Sequence, residues 1–406
     1  MKYVIIGNSA AAVGCIEGIR KTDTKGEITV ISDDVHHSYS RPLISYYLLG
    51  KVTKETMRYR DENFYKDNNV TALLGEKAVK IDKKEVTLES GKTVPFDKLL
   101  IATGSSPFVP PMKGLDSVEN KFSFMKFDDA LALENVLTPA SKVLIVGAGL
   151  IGLKCAEGIG RITKDITVVD LADRILSSIL DEEGADLMQK HLEEDGMKFH
   201  LSDCVETFDN SVAHLKSGKE VVFDVLVLAV GVRPNTELAQ NAGAAVEKGI
   251  VTDETQKTTL DNVYAAGDCV LTEDVTFGGK RILALLPNAY MQGEVAGINM
   301  AGGKAEFTNG APMNAIGFNG YHILTAGTYT GEAITEKDGE NYKKLFVKDD
   351  LLKGFILMGN VARGGIYTNI MKKKIPLSSL DSSILGTPNL SAFSEGERKR
   401  MLGSLV

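Results

Sequence analysis

The chain begins with the stretch Tyr3-Val-Ile-Ile-Gly7-Asn-Ser9-Ala-Ala-Ala12. A second stretch of the same kind, Val143-Leu-Ile-Val-Gly147-Ala-Gly149-Leu-Ile-Gly152, follows about 140 residues later. Each is a short apolar run that enters a tight turn and continues into a segment with the pattern of a helix. This geometry directs free backbone N–H groups and the positive end of a helix dipole at a pyrophosphate. Two such turns predict two dinucleotides, a flavin and a nicotinamide, placed so that a hydride passes between them.

The segments after the two turns repeat the same order of elements. In each, a predicted helix leads to a second buried strand with an acid at or just after its end, Asp33 in the first segment and Asp170 in the second. Each segment closes with another apolar strand followed by small residues, Ala102-Thr103-Gly104 and Ala229-Val-Gly231. Apolar strands alternating with helical segments are typical of parallel sheets covered by helices. The sequence therefore predicts two doubly wound α/β units.

The composition limits the classes of protein to which the chain can belong. Its 406 residues are 43% hydrophobic and 25% charged, the balance of a globular protein with two or three domains. The net charge of −8 argues against nucleic acid as the main partner. No apolar run is long enough to span a membrane, and the first strand starts too early to leave room for a signal peptide. We expect a cytoplasmic protein without a membrane partner.

Cysteine is sparse, and Cys15, Cys155, Cys204 and Cys269 lie far apart in the chain. None belongs to a C-x-x-C pair, so the spacing of a structural zinc or iron–sulfur site is missing. The sequence predicts no metal site and four buried thiols, although cysteines that are distant in sequence can still meet in a fold.

Five short motifs occur in the order of a known family: Gly7-x-Ser-x-x-Ala12, Ala102-Thr-Gly104, Gly147-x-Gly-x-x-Gly152, Ala229-Val-Gly231-Val-Arg-Pro234 and Ala266-Gly267-Asp268. On these residues the chain resembles the two-dinucleotide flavoprotein reductases, also called the pyridine nucleotide–disulfide oxidoreductase superfamily. The loop Tyr39-Ser-Arg41-Pro42-Leu-Ile-Ser45 is similar to the branch that contains rubredoxin reductases, ferredoxin reductases of oxygenase systems and the flavin portion of NADH nitrite reductases. The resemblance covers about residues 1–375.

The resemblance implies an α/β fold with two doubly wound Rossmann-like domains, the NAD domain inserted in the FAD domain, plus a small C-terminal α+β domain. The FAD domain is expected at residues 1–108 and 228–304, and the NAD domain at 109–227. A C-terminal interface domain is expected at 305–380. The tail, residues 381–406, is polar, with one short helix predicted at 394–402.

The family pattern assigns a set of residues to FAD. Asp33, with Asp34 as its rival, is expected to bind the adenosine ribose, and Arg41 to face the phosphates. Asp268 is expected to bind the ribityl chain, and a helix starting near Asn288 to point its N-terminus at the flavin. The full set is Gly7, Ser9, Ala12, Asp33, Arg41, Pro42, Ala102, Thr103, Gly104, Gly267, Asp268 and Asn288.

The second turn is assigned to the nicotinamide dinucleotide. A carboxylate at Asp170 accepts hydrogen bonds from the adenosine 2′-hydroxyl and repels a 2′-phosphate, which predicts NADH over NADPH. Arg174 is expected to face solvent or to pair with Asp170. The NAD set is Gly147, Gly149, Leu150, Ile151, Gly152, Asp170 and Gly231.

Three departures from the family pattern narrow the function. The loop that carries redox-active cysteine in the disulfide reductases holds Ser40 and Ser45 here, so electrons are expected to leave reduced flavin directly. In the ferredoxin reductase branch a lysine commonly follows the loop serine, and Tyr46 stands at that position here. The family usually has a glutamate two residues beyond the third glycine of the second turn, and Lys154 stands at that position. Lys154 is therefore a candidate catalytic residue that places a cation near the flavin or the nicotinamide. The alternative, weighed equally, is a lysine that extends from a helix into solvent.

The predicted function is electron transfer from NADH through FAD to a redox protein, rubredoxin- or ferredoxin-like, or to an iron–sulfur partner subunit. The chain is then a homodimer or a subunit of a complex. One alternative is a peroxide-forming NADH oxidase. An alternative of another class is a non-catalytic FAD-binding assembly subunit, which the intact second glycine turn disfavours.

Overall fold

The structure is a computed structural model that describes residues 1–380 and the single positions 389, 393, 395, 396 and 398. The predicted tail at 381–406 and its predicted short helix at 394–402 lie largely outside the described residues.

The first part of the chain builds most of one parallel sheet. Its central strand carries the apolar run before Gly7 and is almost fully buried, because helical residues such as Ala12 and Ala296 cover one face and residues of a small antiparallel sheet, such as Val86 and Leu88, cover the other. The elements are β1 (Lys2–Ile6), α1 (Ala10–Thr22), β2 (Glu27–Ser32), α2 (Ile44–Leu48), α3 (Phe64–Asp67), β3 (Val70–Leu74), β4 (Ala78–Ile81), β5 (Glu85–Leu88), β6 (Thr93–Pro95), β7 (Lys98–Ile101) and β8 (Ser105–Pro107).

The second part builds an independent parallel sheet in the strand order β12-β11-β10-β16-β9. Its central strand carries the apolar run before Gly147 and is flanked by parallel neighbours on both sides. The elements are β9 (Lys121–Phe122), α4 (Phe127–Val136), β10 (Lys142–Val146), α5 (Leu150–Ile159), β11 (Asp165–Val169), α6 (Glu182–Glu194), β12 (Lys198–His200), β13 (Val205–Asp209), β14 (Val212–Leu215), β15 (Glu220–Val222) and β16 (Val225–Leu228).

The chain then returns to the first sheet. Strand β19 pairs with β7, which gives the order β3-β2-β1-β7-β19 and repeats the order of the second sheet. Strand β17 pairs with β8, so the two connections between the units run side by side. The elements are β17 (Val232–Pro234), α7 (Glu237–Asn241), β18 (Ile250–Val251), β19 (Val263–Ala265), β20 (Val270–Asp274), β21 (Gly279–Arg281) and α8 (Leu286–Met300).

The last described part is an antiparallel sheet in the order β22-β23-β26-β25-β24. One face packs against α9, with Phe355 and Tyr367 in the contact, and the other face packs against the second unit through residues such as Ile356 and Met358. The elements are β22 (Met313–Phe318), β23 (Tyr321–Gly327), β24 (Glu332–Asp338), β25 (Asn341–Lys348), β26 (Leu351–Met358) and α9 (Gly364–Lys372). The predicted fold class, two doubly wound units plus a small C-terminal α+β domain, is confirmed. Within the described residues, no helix has the length and apolar character to cross a membrane.

Four glycines let α1 and α8 pack with their backbones in contact. A Cβ on Gly293 would lie 1.9 Å from the Ala11 carbonyl oxygen, and a Cβ on Gly14 would lie 2.2 Å from that of Tyr290. Gly18 and Gly297 continue the contact along the same two helices. Because side chains are missing there, the two helices approach closely. The residue numbers in contact rise together along both helices, so the helices run parallel and their N-termini lie at the same end.

We expect Gly293→Ala to destabilise the protein, because the added methyl group has no room between the two backbones. Overpacking of this kind costs about 3 kcal/mol, which corresponds to a fall in Tm of roughly 5–10 °C in a domain of this size. The matched control is Gly365→Ala in α9, where an added Cβ meets no atom within 4 Å. Differential scanning calorimetry compares the two variants; an unchanged Tm for the Gly293 variant would contradict the packing argument.

Candidate functional site

The first glycine turn depends on a residue without a side chain. Gly7 has φ of +120°, a backbone conformation that other residues rarely adopt, and a Cβ there would lie 2.1 Å from the Ala102 carbonyl oxygen. Its N–H donates to the Ile31 carbonyl oxygen at 2.8 Å, which ties the turn to β2. The turn is thus held between the ends of β2 and β7.

The second turn has the same construction. Gly147 has φ of +118°, its N–H donates to Val169 at 2.8 Å, and a Cβ would lie 2.3 Å from the Ala229 carbonyl oxygen. Gly152 lets α5 lie against the turn, because a Cβ there would meet the Gly147 carbonyl oxygen at 2.0 Å. The repeat read from the sequence is therefore also a repeat of backbone geometry.

The middle position of each turn has a different constraint. Ser9 and Gly149 are the N-cap residues of α1 and α5, both extended, and neither provides a side-chain hydrogen bond to its helix. An added Cβ on Gly149 meets no atom within 4 Å, so a side chain is sterically tolerated there by the protein. The N-terminal N–H groups of both helices are left available for an anion.

A cavity of about 750 Å³ opens over the first turn, at the carboxyl ends of β1, β2 and β7. Its volume lies in the range of ligand pockets. Ten of the residues that the sequence assigned to FAD line it: Gly7, Ser9, Asp33, Arg41, Pro42, Ala102, Thr103, Gly104, Gly267 and Asp268.

The two other assigned residues lie outside the lining. Ala12 is fully buried in α1 and lets that helix approach the sheet, as expected of its position. Asn288 lies in the first turn of α8, which begins at Leu286, and its amide nitrogen donates to the Ala311 carbonyl oxygen at 3.1 Å. Leu286 and Ala289 face the cavity from this helix instead.

The two candidate acids after β2 have different surroundings. Asp34 is buried, and its carboxylate accepts from the Tyr39 hydroxyl and from the His36 N–H, each at 3.0 Å. Asp33 lines the cavity, and its carboxylate pairs with the Lys126 ammonium of the second unit at 2.8 Å. Asp33 is therefore the acid that is accessible from the cavity.

Arg41 and Asp268 place opposite charges on the same cavity. Burial holds the pKa of the Asp268 carboxyl above its usual range, and the nearby Arg41 guanidinium offsets part of this rise. The Ser105 hydroxyl lies 3.4 Å from this carboxylate. A buried carboxylate with so few protein donors suits a ligand hydroxyl that donates to it.

The sequence reasoning missed residues that hold the lining in place. The Asn235 amide donates to the Thr103 carbonyl oxygen at 2.9 Å, and the Thr103 hydroxyl donates back to the Asn235 carbonyl oxygen at 2.7 Å. The side-chain amide oxygen of Gln292 accepts from the Gly267 N–H at 2.7 Å. Asn235 directly follows the Arg-Pro motif, and this position could have identified it as a candidate. Gln292 belongs to no motif that could have identified it.

In the second unit, Asp170 faces the glycine turn. Its carboxylate accepts from the Ala148 N–H at 2.5 Å and from the Ala172 N–H at 2.7 Å. Arg174 pairs with the exposed Asp173 at 2.8 Å and not with Asp170. Of the other assigned residues, Leu150 and Ile151 begin α5 and pack on the core, and Gly231 lies in the segment after β16.

Lys154 does not extend into solvent. Its side chain is 13% exposed, and its ammonium pairs with Glu157, lies 4.4 Å from the centre of the Tyr46 ring and donates to the Gly317 carbonyl oxygen at 3.2 Å. It does not line the cavity over the first turn. The two departures noted in the sequence, Tyr46 and Lys154, therefore contact each other.

Three cysteines are fully buried, namely Cys15, Cys155 and Cys269, and burial raises the pKa of each thiol. Cys204 is partly exposed. Among the described residues, no group of three or more His, Cys, Asp or Glu side chains is arranged to hold a metal ion.

Comparison with known families matches most of the chain. Residues 1–293 match the pyridine nucleotide-disulphide oxidoreductase family, and residues 312–375 match the rubredoxin NAD+ reductase C-terminal domain. A solved structure of a covalent putidaredoxin reductase–putidaredoxin complex superposes with a TM-score of 0.87, covering 100% of this chain and 99% of that one. The sequences are 21% identical, so this likeness concerns the fold.

Three curated relatives are similar at the level of sequence. The NADH-dependent phenylglyoxylate dehydrogenase subunit epsilon of Aromatoleum evansii is 32% identical over 95% of both chains. An NADH oxidase of Methanocaldococcus jannaschii is 33% identical over 76% of this chain and 71% of that protein. The assimilatory nitrate reductase electron transfer subunit of Bacillus subtilis is 31% identical over 88% of this chain, which spans only 48% of that longer protein.

Proposed function

The chain belongs to the pyridine nucleotide-disulphide oxidoreductase family, and we propose that it is an NADH-dependent FAD oxidoreductase that passes electrons to another protein. The family binds FAD and NAD(H). The observation that carries the proposal is the duplicated unit: two parallel sheets that share the order of four strands, each with a glycine turn and an open helix N-terminus. One dinucleotide binds at each turn.

The cavity over the first turn supports its assignment to FAD. The glycine turn and the N-terminus of α1 bind the pyrophosphate, and Asp33 accepts from the adenosine ribose. Arg41 neutralises phosphate charge, and Asp268 accepts from a ribityl hydroxyl. The N-terminus of α8, at Leu286, stabilises negative charge on the flavin ring. Bound FAD supplies the capacity to accept a hydride and to release electrons onward.

The second unit positions NADH in this proposal. The turn at Gly147 and the N-terminus of α5 bind its pyrophosphate, and Asp170 accepts from the adenosine 2′-hydroxyl. The same carboxylate repels the negatively charged 2′-phosphate of NADPH, so NADPH binds more weakly than NADH. Arg174 is already paired with Asp173 and offers that phosphate little compensation.

The route by which electrons leave is inferred from the cysteines. A thiol relay needs an accessible thiolate beside the flavin. Cys15, Cys155 and Cys269 are buried with raised pKa values, which keeps these thiols protonated. We therefore propose that electrons leave the flavin directly, and that Cys204→Ser leaves turnover unchanged.

The acceptor is proposed to be a redox protein, rubredoxin- or ferredoxin-like, or an iron–sulfur partner subunit. The match of residues 312–375 to the rubredoxin NAD+ reductase C-terminal domain supports the first. The Aromatoleum evansii relative, which matches over 95% of both chains, is named as a subunit of an NADH-dependent dehydrogenase, and this supports the second. A second candidate function, peroxide-forming NADH oxidase, is favoured by the relative named NADH oxidase.

The experiment is an anaerobic titration of the purified protein with NADH, followed by admission of rubredoxin, a ferredoxin or air. We expect NADH to bleach the visible absorbance of bound flavin and an iron protein to restore it faster than air does. Fast recovery in air with release of peroxide supports the oxidase. Bleaching without fast recovery by any of the three supports a missing partner subunit. Failure of NADH to bleach the flavin overturns the proposal.

A further inference from the structure

The ion pair of Lys154 and Glu157 lies inside the protein, at the junction of its three parts. Both residues belong to α5, and their side chains are 13% and 2% exposed. Charged side chains so deeply buried need polar partners in every direction. The partners of this pair come from the other two parts of the chain.

The C-terminal domain contributes the β22–β23 turn, which comprises the last two residues of β22, Gly317 and Phe318, and the Asn319-Gly320 pair before β23. The Lys154 ammonium donates to the Gly317 carbonyl oxygen at 3.2 Å, and it lies 5.3 Å from the centre of the Phe318 ring. The Glu157 carboxylate accepts from the Asn319 N–H at 2.9 Å. The two charges therefore bind consecutive residues of one turn, and neither charge alone makes all of these contacts.

The FAD-binding unit contributes helix α2. The face of the Tyr46 ring lies 4.4 Å from the Lys154 ammonium, close enough for a cation–π contact. Directly beside it, Gly158 of α5 approaches Ser45 so closely that an added Cβ would lie 3.1 Å from the Ser45 carbonyl oxygen. Helix α2 follows the segment of Arg41 and Pro42, which line the cavity. A shift of α2 therefore moves the cavity wall.

We propose that Lys154 is a positioning residue whose ammonium group clamps α2, α5 and the β22–β23 turn together and so fixes the nicotinamide unit relative to the flavin cavity. The inference rests on the proposed function for its effect on rate, but the clamp itself is a property of the chain. Hydride transfer needs the two rings at near-contact distance, and a misplacement of about 1 Å can slow a reaction about 100-fold. Lys154 acts through Tyr46 and the turn, without touching a reacting atom.

The test uses the FAD-loaded protein and two variants that leave no buried charge unpaired. Tyr46→Leu removes the ring and keeps the ion pair, and the double variant K154M/E157Q removes both charges. We expect the rate of anaerobic flavin bleaching at saturating NADH to fall at least tenfold in each, with the Kd of NADH changed less than about threefold. Lys154→Arg keeps the positive charge and should retain most of the wild-type bleaching rate. The matched control is Lys164→Met, an exposed lysine just beyond α5.

A second readout does not depend on activity. Hydrogen–deuterium exchange should become faster in peptides covering residues 44–50 and 314–324 in both variants, and stay unchanged in the Lys164 variant. Native exchange together with a native bleaching rate in both variants would overturn the clamp. If wild-type flavin is not bleached by NADH, the proposed function fails, and the exchange measurement still decides the clamp by itself.

Discussion

Replacing Gly7 with alanine is expected to yield a protein that does not retain FAD. The new Cβ would lie 2.1 Å from the Ala102 carbonyl oxygen and 2.8 Å from its carbonyl carbon, both part of the β7 end that closes the turn. Moving the strand away from the turn opens the floor of the cavity. Backbone strain adds to this, because φ is +120°. Together we expect about 3 kcal/mol of lost binding, which corresponds to a Kd for FAD raised about 100-fold.

The control for this prediction is a glycine with the same kind of backbone but with free space. Gly91 has φ of +84° in the turn between β5 and β6, and an added Cβ there meets no atom within 4 Å. Gly91→Ala therefore carries the backbone strain without the collision. The FAD content of the purified proteins and the Kd from flavin fluorescence are the measurements. Equal FAD retention by the two variants would show that the approach of Gly7 to Ala102 is unimportant.

Replacing Asp170 with asparagine is expected to lower the kcat/KM for NADH and to remove the discrimination against NADPH. The change keeps the shape of the side chain but removes its charge, and an uncharged group accepts more weakly from the ribose hydroxyl. Hydrogen bonds to charged groups contribute about 1.5–3 kcal/mol, so we expect a loss of roughly 10- to 100-fold for NADH. NADPH should gain relative to NADH, because its phosphate no longer meets a carboxylate.

Asp173→Asn is the control, because it removes one negative charge from the same loop and leaves Asp170 unchanged. Asp173 is an exposed acid in the same loop, and its carboxylate pairs with Arg174. Steady-state kinetics of the wild type and both variants with both coenzymes, using an artificial electron acceptor, give the six kcat/KM values needed. If the wild-type protein uses NADPH as efficiently as NADH, Asp170 does not determine the choice of coenzyme.

Much of the first site was predictable because its chemistry is local in sequence. A buried strand, a tight turn and a helix follow one another within a few residues, so Gly7 and Ser9 reach the cavity by chain connectivity alone. Arg41 and Asp268 came from motifs in family order, and both line the same cavity. The hydrogen bond of the Asn288 amide to the Ala311 carbonyl oxygen could not be predicted, because Ala311 lies outside the local motif.

Other features needed contacts that no local pattern encodes. The sequence left Asp33 and Asp34 as rivals, and the partner that separates them, the Tyr39 hydroxyl, becomes visible only when the loop is folded. The sequence alone did not show whether Lys154 points into solvent or into the protein. Its contact with Gly317 of the C-terminal sheet decides this, and that contact spans more than 160 residues of the chain.

The sequence by itself determined the repeat: two apolar strands, each followed by a turn that only glycine can form and a helix with an open N-terminus. These are short-range consequences of backbone sterics and hydrogen bonding, so they can be read without knowing the rest of the chain. The tertiary structure alone decided how the returning segment closes the first unit, through the α1–α8 backbone contact at Gly14 and Gly293, and how the units are joined, through the charged junction at Lys154. Such contacts depend on which surfaces meet across hundreds of residues, and close packing settles that only when the whole chain is folded.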